Sequence, residues 1–199
     1  MKVKIKKQNK VETFKLINSW SDVTLETWLK LIDFETGTKT EEATETIAAL
    51  SDIPKKLVKE LALSDVAAIM SKVGELQAKQ DTKLKRIITI NEVEYGFHPD
   101  LDSITLGEYA DIEQFIKNGI DKNLPELMSV LYRPIKLKKN DIYIIEPYDG
   151  DIRLRAEEMK QMSAEQVQSA LVFFYTLGKV LSEIMPSYLM ERLKEMKTQ

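Results

Sequence analysis

Apolar and polar positions repeat with two periods along this chain, and the switches between them divide it into elements. Residues 2–7, Lys-Val-Lys-Ile-Lys-Lys, alternate lysine with β-branched residues; Gln8-Asn9 offers a turn, and residues 11–17 resume an extended pattern. The chain therefore opens on a predicted hairpin. Helical three-and-four spacing then takes over, with Leu25, Trp28, Leu29, Leu31 and Ile32 in one helix, Thr24 as its cap and Gly37 past its end. Residues 41–50 and 54–61 predict two short amphipathic helices divided by Ser51-Asp52-Ile53-Pro54. Ser64 is the expected cap of a third helix, with Val66, Ile69, Met70, Val73 and Leu76 on one face. The polar stretch 77–85 is the natural boundary between a unit over 1–80 and another over 81–199, two parts of one compact body.

The second unit starts like the first. A hairpin, residues 86–90 and 93–97 across Asn91-Glu92, is stopped by His98-Pro99-Asp100. Thr105 and Glu108 form a capping box for a helix with Leu106, Tyr109, Ile112, Phe115 and Ile116 inward. Asn123-Leu124-Pro125 opens a helix carrying Leu127, Met128, Val130 and Leu131, and a third hairpin, 135–137 and 142–145, turns at Lys139-Asn140. The recurrence of hairpin and Thr-capped helix, Asn9-Lys10-Val11-Glu12 with Val23-Thr24-Leu25 against Asn91-Glu92-Val93-Glu94 with Ile104-Thr105-Leu106, is what a duplicated unit predicts. The small vocabulary of turns and caps predicts the same similarity without duplication.

From Gly150 onward the pattern is helical, with Pro186 separating a last amphipathic helix over 187–197. The preceding helix, 163–185, organises the chain. Val167, Ala170, Leu171, Phe174, Leu177, Gly178, Leu181 and Ile184 recur at helical spacing, Val172, Phe173, Tyr175 and Val180 add apolar surface, and Ser163 with Gln166 forms its capping box. So apolar a helix is the central strut of a domain or a surface that needs a partner. Phe173, Phe174, Tyr175, Tyr188, Leu189 and Leu193 are the candidate interface residues. The expected fold is α+β and mainly helical, with two or three hairpins packed around this helix.

Lys plus Arg at 29 against Asp plus Glu at 32 gives a net charge of −3, so no global field favours nucleic acid or an anionic membrane, and any such role needs a local patch. Lysines do gather on the hairpins: Lys2, Lys4, Lys6, Lys7 and Lys10, then Lys83, Lys85 and Arg86, then Lys136, Lys138 and Lys139. If the hairpins share one sheet, a face or edge of it is basic enough to touch phosphates. Lysine on exposed strands also prevents edge-to-edge aggregation, and no stacking aromatics are interleaved with these lysines.

With no cysteine and one histidine, the chain cannot build a disulfide, a thiolate metal site or a multi-histidine site. His98-Pro99-Asp100 spells the J-domain co-chaperone tripeptide but follows a strand pattern rather than sitting between two helices. Asp149-Gly150-Asp151 lacks the alternating oxygen ligands of a calcium loop and reads as a turn and helix start. No phosphate loop, nucleophile elbow or secretory leader is recognisable, and no apolar run reaches membrane-spanning length. The expectation is a protein that is not an enzyme and uses no cofactor or metal.

Four segments carry a family resemblance: Gly96-Phe97-His98-Pro99-Asp100 running into Ile104-Thr105-Leu106-Gly107-Glu108-Tyr109; Asn123-Leu124-Pro125-Glu126-Leu127-Met128 with Val130-Leu131-Tyr132-Arg133-Pro134-Ile135; Ile145-Glu146-Pro147-Tyr148-Asp149-Gly150; and Ala170-Leu171-Val172-Phe173-Phe174-Tyr175-Thr176-Leu177-Gly178-Lys179. Over about residues 90–180 the chain resembles small structural and tail-morphogenesis proteins of tailed bacteriophages. The resemblance implies a non-enzymatic role in the virion, made in the host cytoplasm, as a homo-oligomeric ring component of neck or tail among other phage structural proteins. A tail-assembly chaperone absent from the mature particle is the alternative, the three hairpins with their edges for strand addition favouring the stable component, and the lysine-rich hairpins leave a nucleic-acid-binding module as a third reading.

Overall fold

The computed structural model describes residues 1–7, 10–34, 37–77, 83–100 and 103–172. It is α+β and mainly helical, with two small antiparallel sheets. In the first half, β1 (Lys2–Lys7) and β2 (Lys10–Lys15) form a two-stranded sheet, followed by a 3-10 turn at Trp20–Asp22 and helices α1 (Leu25–Phe34), α2 (Lys39–Leu50), α3 (Lys55–Val58) and α4 (Leu63–Gln77). Their inward residues, among them Ile5, Leu16, Trp20, Ile47, Leu50, Ile53, Ile69 and Val73, make one core.

Two of these helices start earlier than their apolar pattern. Thr38 and Glu41 make a capping box that sets the start of α2 at Lys39. For α4 the carbonyl of Ala62 accepts from the amides of Asp65 and Val66, so the helix begins at Leu63 and Ser64 lies inside its first turn rather than capping it. Residues 54–61 form only the single turn α3, closed by bonds onto the Pro54 and Lys55 carbonyls.

In the second half, β3 (Ile87–Ile90), β4 (Val93–Phe97), β5 (Tyr132–Lys139) and β6 (Ile142–Ile145) lie in that order in one antiparallel sheet. Helices α5 (Leu106–Lys117) and α6 (Leu124–Leu131) are inserted between β4 and β5, and α7 (Ile152–Met159) and α8 (residues 164–172 of a helix) follow β6. Asn91 and Glu92 both take positive φ, 48° and 68°, the two-residue turn that matches strand twist. β5 starts directly at the end of α6, before the alternation seen in sequence, because Tyr132 and Arg133 are buried on opposite faces of the strand. Phe97 and Tyr132 meet edge to face at 5.1 Å within a core shared with Ile88, Ile112, Leu124, Leu127, Met128, Leu131, Met159 and Val167. On α5, Leu106, Tyr109 and Ile116 are exposed rather than inward; Ile112 and the capping residue Glu108 occupy the buried side instead.

A short exchange of chain joins the two cores. Thr24 and Ser163 form an antiparallel bridge in which the Leu25 amide donates to the Met162 carbonyl and the Ala164 amide to the Val23 carbonyl, both at 2.7 Å. Leu25, from the first half, is fully buried in the second core, and Ala164, from the second half, is fully buried in the first. Ser163 and Gln166 make the reciprocal capping bonds anticipated from their spacing, at 3.1 and 3.3 Å. α8 therefore starts inside the joint between the cores, and Val167 and Ala170 continue into the second. The rest of the helix expected over 163–185, and the last helix, lie outside the described residues.

A register shift between Ile135 and Leu137 bends β5, and β6 then packs back over β4. Tyr143 lies across Gly96, its one hydroxyl proton shared between the carbonyls of Phe97 (2.7 Å) and Arg86 (3.1 Å). A Cβ at position 96 would meet the Tyr143 ring at 2.4 Å and Ile145 at 2.9 Å. Because the ring is pinned at its hydroxyl, Gly96→Ala is expected to destabilise the fold by about 1–3 kcal/mol in denaturant titration, the usual cost of overpacking.

Candidate functional site: a buried ionic cluster and two outward faces

The densest polar arrangement grows out of the α5 cap. Glu108 Oε2 accepts from the Thr105 amide at 2.7 Å and its hydroxyl at 2.6 Å. The other oxygen, Oε1, lies 2.7 Å from Arg133 Nη2 on β5 and 3.6 Å from His98 Nε2 at the end of β4. Arg133 pairs with Gly96 across the sheet, on the face opposite the Phe97–Tyr132 pair, and there its side chain meets the first turn of α5. All three side chains are buried. Arg133 also sits 5.8 Å from the centre of the Tyr148 ring, and the Tyr148 hydroxyl donates to Asp111 on α5.

Burial pushes the Glu108 carboxyl upward, but the two Thr105 hydrogen bonds and Arg133 outweigh it and hold the group below its ordinary range, as a carboxylate. Burial moves His98 the other way, below the usual imidazole value; Arg133 adds to this, while Glu108 and Asp100 oppose it less strongly. His98 is thus neutral at pH 7. Burial together with Asp111 pushes the Tyr148 hydroxyl well up. With one Glu108 oxygen held by Thr105 and the other facing Arg133, the carboxylate is a fixed counter-ion, and the cluster ties the end of β4, α5, β5 and the segment after β6 to one point.

Cavities lie elsewhere. One of about 540 Å³ opens at the base of the β1–β2 hairpin, beside Lys2, Lys15, Asp22 and Asp52, and one of about 770 Å³ lies between α2 and α4 beside Thr38, Glu41, Leu61 and Leu63. No lining residue of either belongs to the cluster. Among the described residues no group of three or more His, Asp or Glu is placed to hold a metal ion. Asp149 instead pairs with Arg155 and accepts from the Asp151 amide, a turn leading into α7. His98-Pro99-Asp100 follows a strand, β4.

Phe173, Phe174, Tyr175, Tyr188, Leu189 and Leu193 lie outside the described residues. Just before them, Val167, Ser169 and Ala170 are buried, whereas Val172 is 48% exposed. The lysine-rich hairpins do not share a sheet: β1–β2 stands alone, and only the other two hairpins belong to the four-stranded sheet. Their outward faces also differ in kind. β1–β2 turns Lys2, Lys4, Thr13 and Lys15 to solvent, while the β5–β6 ribbon presents Leu137, Ile142 and Ile144, 64%, 79% and 57% exposed. No helix of the described residues is long and apolar enough to cross a membrane. Comparison with protein-family models, with curated proteins and with solved structures finds no significant match.

Reading the sequence for turns and caps passed over the ionic cluster, although it had a signal. Arg133 interrupts the apolar run Val130-Leu131-Tyr132 and Pro134-Ile135, and an arginine so placed needs a buried anion. Arg133→Ala is expected to cost about 3–5 kcal/mol by leaving Glu108 buried and unpaired, whereas Glu108→Gln combined with Arg133→Met recovers most of that loss in denaturant titration. His98, the sole histidine, has a lowered folded pKa, so between pH 7.5 and 5.5 the unfolded chain takes up a proton, near its ordinary pKa of about 6.5, that the folded chain refuses. Stability should fall as pH falls through that window, and His98→Gln should flatten the decline.

Proposed function

We propose that this chain is a non-enzymatic structural or assembly protein of a tailed bacteriophage particle, a ring-type subunit of neck or tail that meets its neighbours through sheet edges. The observation that carries the reading is the outward row Leu137, Ile142 and Ile144 on β6 and its partner strand, beside an edge with no strand neighbour among the described residues. Apolar side chains on an edge ribbon invite strand addition, and a bare ribbon of this kind is a liability unless something covers it.

The sheet ends in two different edges, β3 and β6. A ring needs a heterologous contact between unlike patches, whereas a two-fold dimer needs a self-complementary one. Pairing β6 with a second β6 would set Asp141 opposite Glu146 and repel. Continuing the antiparallel order from β6 onto a neighbour's β3 brings Glu146 toward Arg86 and Asp141 toward Asn91, which favours the head-to-tail arrangement. The resemblance to phage morphogenesis proteins supplies the setting, and three of its four segments contribute to the ionic cluster that holds this sheet against α5.

Ile142→Asp with Ile144→Asp is expected to abolish self-association in sedimentation velocity while shifting stability by no more than about 0.5 kcal/mol, as for exposed positions generally. Unchanged association would remove the β6 edge from the account. Quantitative mass spectrometry of mature particles is expected to find the chain at a fixed multiple of a ring symmetry. Its absence from particles, with abundant protein in the infected lysate, would replace the ring subunit by a tail-assembly chaperone.

A further inference from the structure

The antiparallel register sets Lys2 opposite Lys15, Lys4 opposite Thr13 and Lys6 opposite Val11. Alternation along a strand puts Lys2, Lys4, Thr13 and Lys15 on the face turned away from the core, since Ile5 is buried and Val3 and Phe14 are half-buried on the other. Lys2, Lys4 and Lys15 are all exposed, and none pairs with an acid among the described residues. The Asp52 carboxylate sits at the base of the hairpin and accepts from the backbone amide of Lys15.

Lys2 opposite Lys15 is a pair of like charges in direct cross-strand register, an arrangement that weakens a hairpin unless an anion lies against it. We infer that this face binds the phosphate backbone of duplex DNA without reading sequence. Alternate residues on a strand recur every ~6.7 Å, far enough apart for Lys2 and Lys4 to meet separate phosphates of one DNA strand. These four positions hold no Arg, Asn or Gln for the bidentate contacts that discriminate bases. They hold no Trp, Phe or Leu to insert beside the lysines, which a membrane-surface site needs. The site stands on one hairpin alone and does not depend on the ring reading.

The test is fluorescence anisotropy of a labelled random-sequence duplex with the full chain, from 25 to 200 mM KCl. The logarithm of the association constant is expected to fall with log salt at a slope of about −3, roughly −0.9 for each of Lys2, Lys4 and Lys15. Lys4→Gln should reduce the slope by about one unit, and the Lys2→Gln, Lys4→Gln, Lys15→Gln triple variant should bring it near zero with a Tm equal to or above that of the parent. The corresponding triple arginine variant should keep the parent's slope. Absence of binding at 25 mM KCl, or an unchanged slope in Lys4→Gln and the triple glutamine variant, overturns the proposal. Equal binding to vesicles containing phosphatidylserine at the same salt overturns it in favour of a membrane surface.

Discussion

Three residues on either side of one bridge decide whether this chain is one body or two. Val23, Thr24 and Leu25 run against Met162, Ser163 and Ala164, and each segment buries a side chain in the core that the other half builds. Leu25 gives a large apolar side chain to the second core. Ala164 is small enough to let the first turn of α8 sit against the first. Removing either contact opens a void where there is no other chain to close it, and in close-packed interiors such voids are costly. The Ser163–Gln166 capping box satisfies the Ser163 and Gln166 amides at this partly buried start of α8.

The ionic cluster is the corresponding constraint within the second half. A charge pair buried this deeply is weak evidence of net stabilisation, because desolvation offsets much of its attraction. Its value is directional. Among the described residues Arg133 pairs with one anion, Glu108, which Thr105 holds in place as it caps α5, so helix start, strand position and the Tyr148 segment are fixed together. With β5 held there, the bend after Ile135 swings β6 over Gly96 and turns Ile142 and Ile144 outward.

Much of the fold was legible in the sequence because it rests on local signals. The three hairpins, the Asn91-Glu92 turn and the Thr105 and Ser163 boxes are written within a few residues of each other. The errors came where a long-range partner decides. Leu106, Tyr109 and Ile116 looked inward by spacing, but Glu108 claims the buried side of α5 through an arginine 25 positions away. Separation of the basic hairpins into two sheets was equally hidden, since alternation specifies a face but not which strand lies alongside. For the site, the lysine rows were visible and their grouping was not. Ile142 and Ile144 looked like ordinary strand residues because Tyr143 and Ile145, one step out of phase, take the inward positions.

The claim that the two cores form one cooperative body is tested most directly by damaging one and watching the other. Both tryptophans lie in the first half; Trp20 is buried in its core, while Trp28 touches both. In a Trp28→Phe background, Leu127→Ala in the second core should lower the unfolding midpoint followed by Trp20 fluorescence as much as that followed by far-ultraviolet circular dichroism. An unmoved Trp20 transition, with only the circular dichroism signal shifted, would mean that the halves unfold independently and that the bridge at Thr24 and Ser163 does not couple them.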